Sequence, residues 1–302
     1  MKKSKKILLF GNERIATATK TDALIFSYLI ENYDVCGLVV SEKKDLEALE
    51  AVKFARSHNI DVYNFSKLKD NINTIKSLDA DIAVLIAYGK IIPQEVIDLF
   101  PLGILNLHPS LLPKHRGPTP IESVIIEGDK ETGISLMLLS KDMDSGPVFV
   151  QKKIELTGNE SKQELTNKLD QLGLEALKEK FEDILNGNLL PKKQDDSKAT
   201  YDRLVNKSDS VVDWNDTSED IIRKFRAYQG WPGLKLAIGP LNVKINGLKA
   251  RELSGEPGKY IVDKHSITFF TKDSSLEITE LQPDGKKNMS VEEFIRGYGN
   301  RI

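Results

Sequence analysis

An α/β fold is predicted, with a mostly parallel sheet and its crossover helices in an N-terminal domain and a smaller β-barrel after it. Three observations predict it. Short apolar runs alternate with amphipathic stretches from Lys6 onward, the pattern that strands and crossover helices leave in a sequence. A polar interval containing Gly187 and Pro191 then breaks that pattern. Beyond it, five brief alternating segments crowd the last third of the chain, as in a small closed or partly open barrel.

Each element has its own warrant. The apolar runs at residues 7–10, 35–40, 60–63, 82–86, 103–107 and 134–139 read as strands. Helices are expected near 22–32, 45–58, 93–99 and 120–127. The last of these opens on Thr119-Pro120-Ile121-Glu122, where Thr caps, Pro suits the first helical position and Glu completes a capping box. A longer helix near 162–186 gathers Leu165, Leu169, Leu172, Ala176, Leu177, Phe181 and Ile184 on one face and closes the first domain. Gly187, Pro191 and the polar run 192–198 read as exposed linker. The expected divisions are therefore 1–190 for a Rossmann-like domain, 191–212 for the linker and 213–302 for an OB-like barrel. Within the last, a short helix near 217–229 precedes strands near 233–238, 241–246, 259–263, 266–271 and 275–281.

Composition narrows the function classes. The 302 residues hold 43 Lys+Arg against 45 Asp+Glu, a net charge of −2, so gripping polyanions by bulk charge is excluded as the main task. Divided at the linker, residues 1–196 carry −4 and residues 197–302 carry +2. The lone Cys36 excludes an intramolecular disulfide and fits a reducing compartment. With 40% hydrophobic and 29% charged residues, the chain reads as globular. The basic start is followed by too few apolar residues for a signal-peptide core, and no run is long enough for a membrane helix. A soluble, cytoplasmic monomer with no membrane partner is the expectation.

The densest chemistry lies in Gly103-Ile-Leu-Asn106-Leu-His108-Pro-Ser110-Leu111-Leu112-Pro113. On a strand, Asn106 and His108 share one face. At the strand's carboxyl end, where open α/β sheets bind ligands, two donors there can hold a developing oxyanion. Read alone, the same pair can equally satisfy loop backbone. The run 134–139 ends at Ser140-Lys-Asp-Met-Asp144-Ser-Gly146-Pro, which puts Asp144 in a tight turn at a second strand end. Beside His108 it would fix the tautomer and favour the imidazolium; alone it is also an ordinary Asx turn. Lys114-His115-Arg116-Gly117 reads either as a basic rim for an anion or as a solvated loop. No Gly-x-Ser-x-Gly, Gly-x-Gly-x-x-Gly or Gly-Lys-Ser/Thr motif occurs, and the four histidines lack i,i+3 or i,i+4 pairing, so no metal site is expected.

Taken together, Asn106-x-His108-Pro-Ser-Leu-Leu-Pro, Arg116-Gly117 and Asp144-x-Gly146 resemble the catalytic pattern of the folate-dependent formyltransferases. That resemblance implies that Asn106 and His108 bind the formyl oxygen while Asp144 tunes His108 and helps move protons. It implies that Ser110, Leu111, Leu112 and Pro113, with Tyr88 and Gly89 of the similar Ala87–Pro93 segment, lie against a 10-formyltetrahydrofolate donor. Ala199-Thr-Tyr201, Asp213-Trp214, Trp231-Pro-Gly233, the run 281–290 and Phe294-Ile-Arg-Gly297 are similar, in that order, to the C-terminal region of the branch acting on methionyl-tRNA. The implied partner is initiator methionyl-tRNA. Arg116, Lys244, Lys249, Arg251, Lys286 and Lys287 are the expected contacts, each of which is otherwise an ordinary surface cation. A sugar-amine formyltransferase with the same donor, or an idle tRNA- or folate-binding protein, are the alternatives. Two departures stand out. The long Arg- and Gly-rich loop usual after the second strand is missing at residues 40–44, and the first strand runs into Gly11-Asn-Glu-Arg14 in place of a short Gly-Thr-Pro turn.

Overall fold

A computed structural model of the chain describes residues 5–11, 24–41, 46, 47 and 49–302. The departures expected at 12–20 and 42–44 lie outside the described residues. Contacts divide the chain into two compact units: Met1–Ile121, Lys130–Thr157 and Gln163–Arg203 form one, and Glu122–Asp129, Gly158–Lys162 and Leu204–Ile302 the other. The sequence reading had the units as contiguous blocks.

In the first unit, strands β1 (Lys6–Gly11), β2 (Asp34–Ser41), β3 (Val62–Phe65), β4 (Ile82–Ile86), β5 (Ile104–His108), β6 (Glu131–Leu138) and β7 (Val148–Glu155) form one sheet in the order β3-β2-β1-β4-β5-β6-β7. β1 to β5 pair in parallel. The sequential order reverses between β1 and β4, so their carboxyl ends make a topological switch point, where such sheets bind ligands. Ile7, Leu8, Leu9 and Phe10 are wholly buried, because helices on both faces leave a parallel strand no solvent side. Phe10 meets Tyr88 and Phe100 edge-on, at ring separations of 5.3 and 6.2 Å. Cys36, partly buried against the core, donates to the Ile7 carbonyl, and burial pushes its thiol up to about 11, which disfavours the reactive thiolate.

The outer strands depart from the expected pattern. β6 pairs antiparallel with β5 and β7 antiparallel with β6. β7 was not anticipated, since its Val-Phe-Val-Gln-Lys-Lys-Ile-Glu sequence is half-exposed and its apolar run is only three residues long.

Helices α1 (Leu24–Asn32), α2 (Glu50–Ser57), α3 (Ile72–Ser77), α4 (Gln94–Ile97), α5 (Pro120–Glu127) and α6 (Lys162–Leu185) complete this part of the chain, and α3 escaped the sequence reading. α6 buries six of the expected positions together with Leu174; Leu172 is only half-buried. On the same helix, burial alone pushes the Asp170 carboxyl from 3.8 up to about 7. A carboxyl whose folded value exceeds its unfolded one takes up a proton on folding, so its penalty is absent below about pH 4 and grows as pH rises toward 7. Asp170→Asn is expected to raise Tm at pH 8 and to leave it nearly unchanged at pH 4. Equal shifts at both values would contradict this.

In the second unit, α7 (Ser218–Ala227), β8 (Leu234–Ile238), β9 (Leu241–Arg251), β10 (Tyr260–Val262), β11 (Ile267–Phe270), β12 (Ser275–Pro283), β13 (Met289–Ser290) and α8 (Val291–Tyr298) follow in order. The sheet runs β10-β11-β12-β9-β8, wholly antiparallel, with β13 on β12. Register shifts between β12 and β9 at Ile278–Leu281 bend these strands, the usual device by which a small sheet curls toward a barrel. Trp214, half-buried, stacks flat on Phe269 of β11 at 4.5 Å. α8 was also missed, although its start is legible. Ser290 accepts from the Glu293 amide while the Glu293 carboxylate accepts from the Ser290 amide, a full capping box. No helix among the described residues is long and apolar enough to cross a membrane.

Candidate active site

β5 presents Asn106 and His108 on one face at its carboxyl end, only 6% and 4% exposed. Nε2 of His108 lies 2.8 Å from the His115 carbonyl oxygen. A carbonyl only accepts, so Nε2 carries the proton and Nδ1 is the nitrogen left for chemistry. Nδ1 faces Asp144 Oδ2 at 3.7 Å, beyond hydrogen-bond length but within charge contact. The same Oδ2 accepts from the Gly117 amide at 2.8 Å, and Oδ1 lies 3.5 Å from the Asn106 amide nitrogen.

The structure thus brings Asn106, His108 and Asp144 together, by a different route from the one expected. Because β6 runs antiparallel, it ends beside the start of β5, with Leu138 opposite Leu105. The chain must turn back through residues 139–147 before the Asp144 carboxylate reaches the far end of β5. Asp144 takes a left-handed conformation, φ +49°, in that return.

The Ser110–Pro113 loop is held from beneath. Ser135 on β6 donates its hydroxyl to the Ser110 carbonyl at 2.7 Å and accepts from the Leu112 amide at 3.1 Å. Gln151 on β7 donates to the Leu112 carbonyl at 2.7 Å and to the Ser135 hydroxyl at 3.0 Å. Ser110 itself is fully buried and donates to the Lys114 carbonyl, so its hydroxyl serves the loop. Leu111 and Pro113 remain half-exposed beside buried Leu112. After β4 the chain takes positive φ at Ala87 and Gly89, with Tyr88 buried between them. The Tyr88 hydroxyl has no hydrogen-bond partner among the described residues, and burial pushes it up to about 12.

Arg116 needs correction. Expected at a nucleic-acid interface, it is 1% exposed, and each of its guanidinium nitrogens donates inside the protein. Nε and Nη2 donate to Gln194 Oε1 at 3.1 and 2.9 Å, Nη2 to Asp196 at 2.7 Å and Nη1 to the Tyr201 hydroxyl at 2.9 Å. Burial would lower its pKa, but the hydrogen bonds to Asp196 and Tyr201 outweigh that and hold it raised. Neither reading of the 114–117 segment survives for residues 115–117, which are buried. His115 Nδ1 pairs with Asp202 at 3.1 Å, and its amide donates to the Thr200 hydroxyl.

Sequence reasoning missed Ser135, Gln151, Gln194 and Asp202 around the site, and read His115 only as part of a basic rim or solvated loop. Gln194 sits in a run of charges that read as linker, yet it is 8% exposed. The Ala199-Thr200-Tyr201 motif was the one signal that this stretch matters.

The remaining expected contacts fall on the second unit's sheet. Lys244 stands opposite Lys235 across β8 and β9 and donates to the Gly230 carbonyl at 3.0 Å, while Lys286 and Lys287 are exposed in the turn before β13. Lys249 lies opposite Glu277, and Arg251 donates to that same carboxylate at 2.7 Å.

Comparison with known proteins matches this architecture. Residues 15–180 fit the family model described as formyl transferase, and residues 204–299 that described as formyl transferase, C-terminal domain. The methionyl-tRNA formyltransferase of Thermodesulfovibrio yellowstonii is 34% identical over 97% of this chain and 96% of its own length. That of Staphylococcus epidermidis is 32% identical over the same shares. Among solved structures, an N-formyltransferase from Helicobacter canadensis, in complex with folinic acid and dTDP-3-aminofucose, superposes with TM-score 0.69 at 18% identity, over 91% of this chain and 98% of that one. HypX from Aquifex aeolicus in complex with tetrahydrofolic acid gives TM-score 0.65 at 17% identity, over 97% of this chain and 47% of that one. At such identities these two support the fold alone. The end-to-end match to relatives above 30% identity, through both units, makes the chain a member of the methionyl-tRNA formyltransferase family.

Proposed function

We propose that the protein transfers a formyl group from 10-formyltetrahydrofolate to the α-amine of methionine esterified to initiator tRNA. The observation that carries the chemistry is His108, fixed by His115 in the tautomer that turns Nδ1 toward Asp144, with the Asn106 amide beside both. The neutral amine attacks the formyl carbon and a C–N bond forms. Charge grows on the formyl oxygen, where Asn106 and a protonated His108 Nδ1 donate hydrogen bonds. Asp144 balances that imidazolium and relays the amine proton toward N10 as the C–N10 bond breaks. Atoms balance without a metal or a covalent enzyme intermediate. Holding both substrates in register supplies much of the acceleration. The donor is proposed to lie against residues 110–113 and the Tyr88–Gly89 turn, the former braced by Ser135 and Gln151.

Supplying purified protein with the formyl donor and either charged initiator tRNA or a nucleotide-linked amino sugar tests the acceptor. Formylmethionyl-tRNA is the expected product. Formylated sugar alone would overturn the reading, and product from neither would favour a binding protein.

For the tRNA backbone we infer that Lys244, Lys286 and Lys287 are the effective contacts, since Glu277 already pairs with Arg251 and stands across the strands from Lys249. Replacing those three lysines by Ala is expected to raise KM for tRNA roughly 10-fold and to flatten its salt dependence by about one log–log unit for each lysine removed. Replacing Lys249 and Arg251 is expected to do less. The reverse ranking would reassign the interface.

A further inference from the structure

The Asp144 turn is held in an unfavourable conformation, and the residues that hold it lie far away in sequence. At φ +49° Asp144 lies in the left-handed region, which a residue other than glycine keeps where its surroundings over-determine it. We propose that Gln194, backed by Arg116, is a positioning residue for the reaction: it fixes the Asp144 turn so that the carboxylate stands beside His108. This rests on the reading of Asp144 as the proton-relaying partner.

The side-chain amide of Gln194 faces two ways. Its Nε2 donates to the Asp144 carbonyl at 2.8 Å and to the Gly146 carbonyl at 2.7 Å, gripping the turn on both sides of Ser145. Its Oε1 accepts from Nε and Nη2 of Arg116. A guanidinium only donates and backbone carbonyls only accept, so a group between them must offer an acceptor on one side and two donors on the other. A primary amide does so, and its orientation here is forced. A carboxylate would set two carbonyl oxygens against its own, and an aliphatic chain would leave both sides unpaired in a buried place.

Arg116 is itself buried and tied down by its backbone. Its amide donates to the Thr200 carbonyl at 2.9 Å, and its carbonyl accepts from the Asp202 amide at 2.7 Å. The next residue, Gly117, donates to the Asp144 carboxylate, and the preceding one, His115, anchors His108 Nε2. Three consecutive residues thereby set the relative position of the acid and the imidazole. Gln194 ties the backbone of the Asp144 turn to the same reference.

The test uses Gln194→Leu and Gln194→Glu in the full-length protein. The second keeps shape and the Arg116 pairing while replacing the donors to the turn by an oxygen that both carbonyls repel, so it stands in if the first fails to fold. We expect kcat to fall roughly 10- to 100-fold, as for displacement of a reacting group by about 1 Å, with KM for donor and for tRNA within about twofold of wild type. In an Asp144→Asn background the same substitution is expected to cost nothing further, because its effect runs through that carboxylate. A wild-type kcat in Gln194→Glu, an effect confined to KM, or an equal loss added on top of Asp144→Asn would each overturn the proposal. Full activity of Asp144→Asn alone would instead remove the underlying reading, and this inference with it. That result is visible without any Gln194 variant.

Discussion

Asp144→Asn is expected to lower kcat by about 10² to 10⁴-fold while donor affinity changes less than about twofold. The substitution is nearly isosteric. An Asn oxygen can still accept from the Gly117 amide, now 2.8 Å from Oδ2, so the turn should keep its place. What changes is the charge: the oxygen 3.7 Å from His108 Nδ1 becomes that of a neutral amide, and the NH₂ takes the Oδ1 place, donor against donor, 3.5 Å from the Asn106 amide nitrogen. The substitution withdraws the counter-charge for the imidazolium and the basic oxygen that takes up the amine proton. His108→Ala removes the imidazole itself and should fall as far. Single-turnover formyl transfer measured beside equilibrium donor binding separates the steps. Turnover near wild type in either variant removes that residue from the mechanism, and a matching loss of donor affinity would assign it to binding.

The second large effect concerns Gly146. A Cβ built there would lie 1.8 Å from the Leu138 carbonyl oxygen and 3.2 Å from the end of Met137. The oxygen is backbone at the end of a strand and cannot swing aside, so Gly146→Ala must push the 139–147 return off β6. Overpacking of this kind costs about 1 to 3 kcal/mol. Here it also displaces the Gly146 carbonyl from Gln194 and so moves Asp144. Gly146→Ala is expected to lower the urea midpoint at an unchanged m-value and to lose activity beyond what the unfolded fraction explains. A variant with wild-type midpoint and kcat would show that the return can relax without consequence.

Much of this was legible in the sequence, for identifiable reasons. Strands buried on both faces, such as Ile7–Phe10 and Ile82–Ile86, leave apolar runs that cannot be overlooked. The two-residue spacing of Asn106 and His108 places them on one face whatever else happens. β7 was illegible because a strand with a wet face need not be apolar, and its Lys152 and Lys153 pair with Glu179 and Glu131. The sense of β6 could not be read, since an apolar run carries no direction. Arg116 misled for a related reason: a guanidinium is as much at home in a buried hydrogen-bond fork as on a surface, and its acceptors lie some eighty residues away. Gln194 belongs to a stretch whose composition is that of a linker, and only the fold reveals that one residue in it turns inward.

The ties from Gln194, Thr200 and Asp202 also set an order of events during synthesis. When the ribosome has delivered α6, ending at Leu185, all seven strands of the first sheet are available, and Asn106, His108 and Asp144 have been made. Yet the carbonyls of Asp144 and Gly146 still lack their donor, and the His115 amide and the Arg116 backbone lack their partners. A nascent chain released at that stage would have the catalytic residues without their alignment. The site matures only when Asp202 has left the exit tunnel and folded back, so competence is acquired late, after the sheet that carries it.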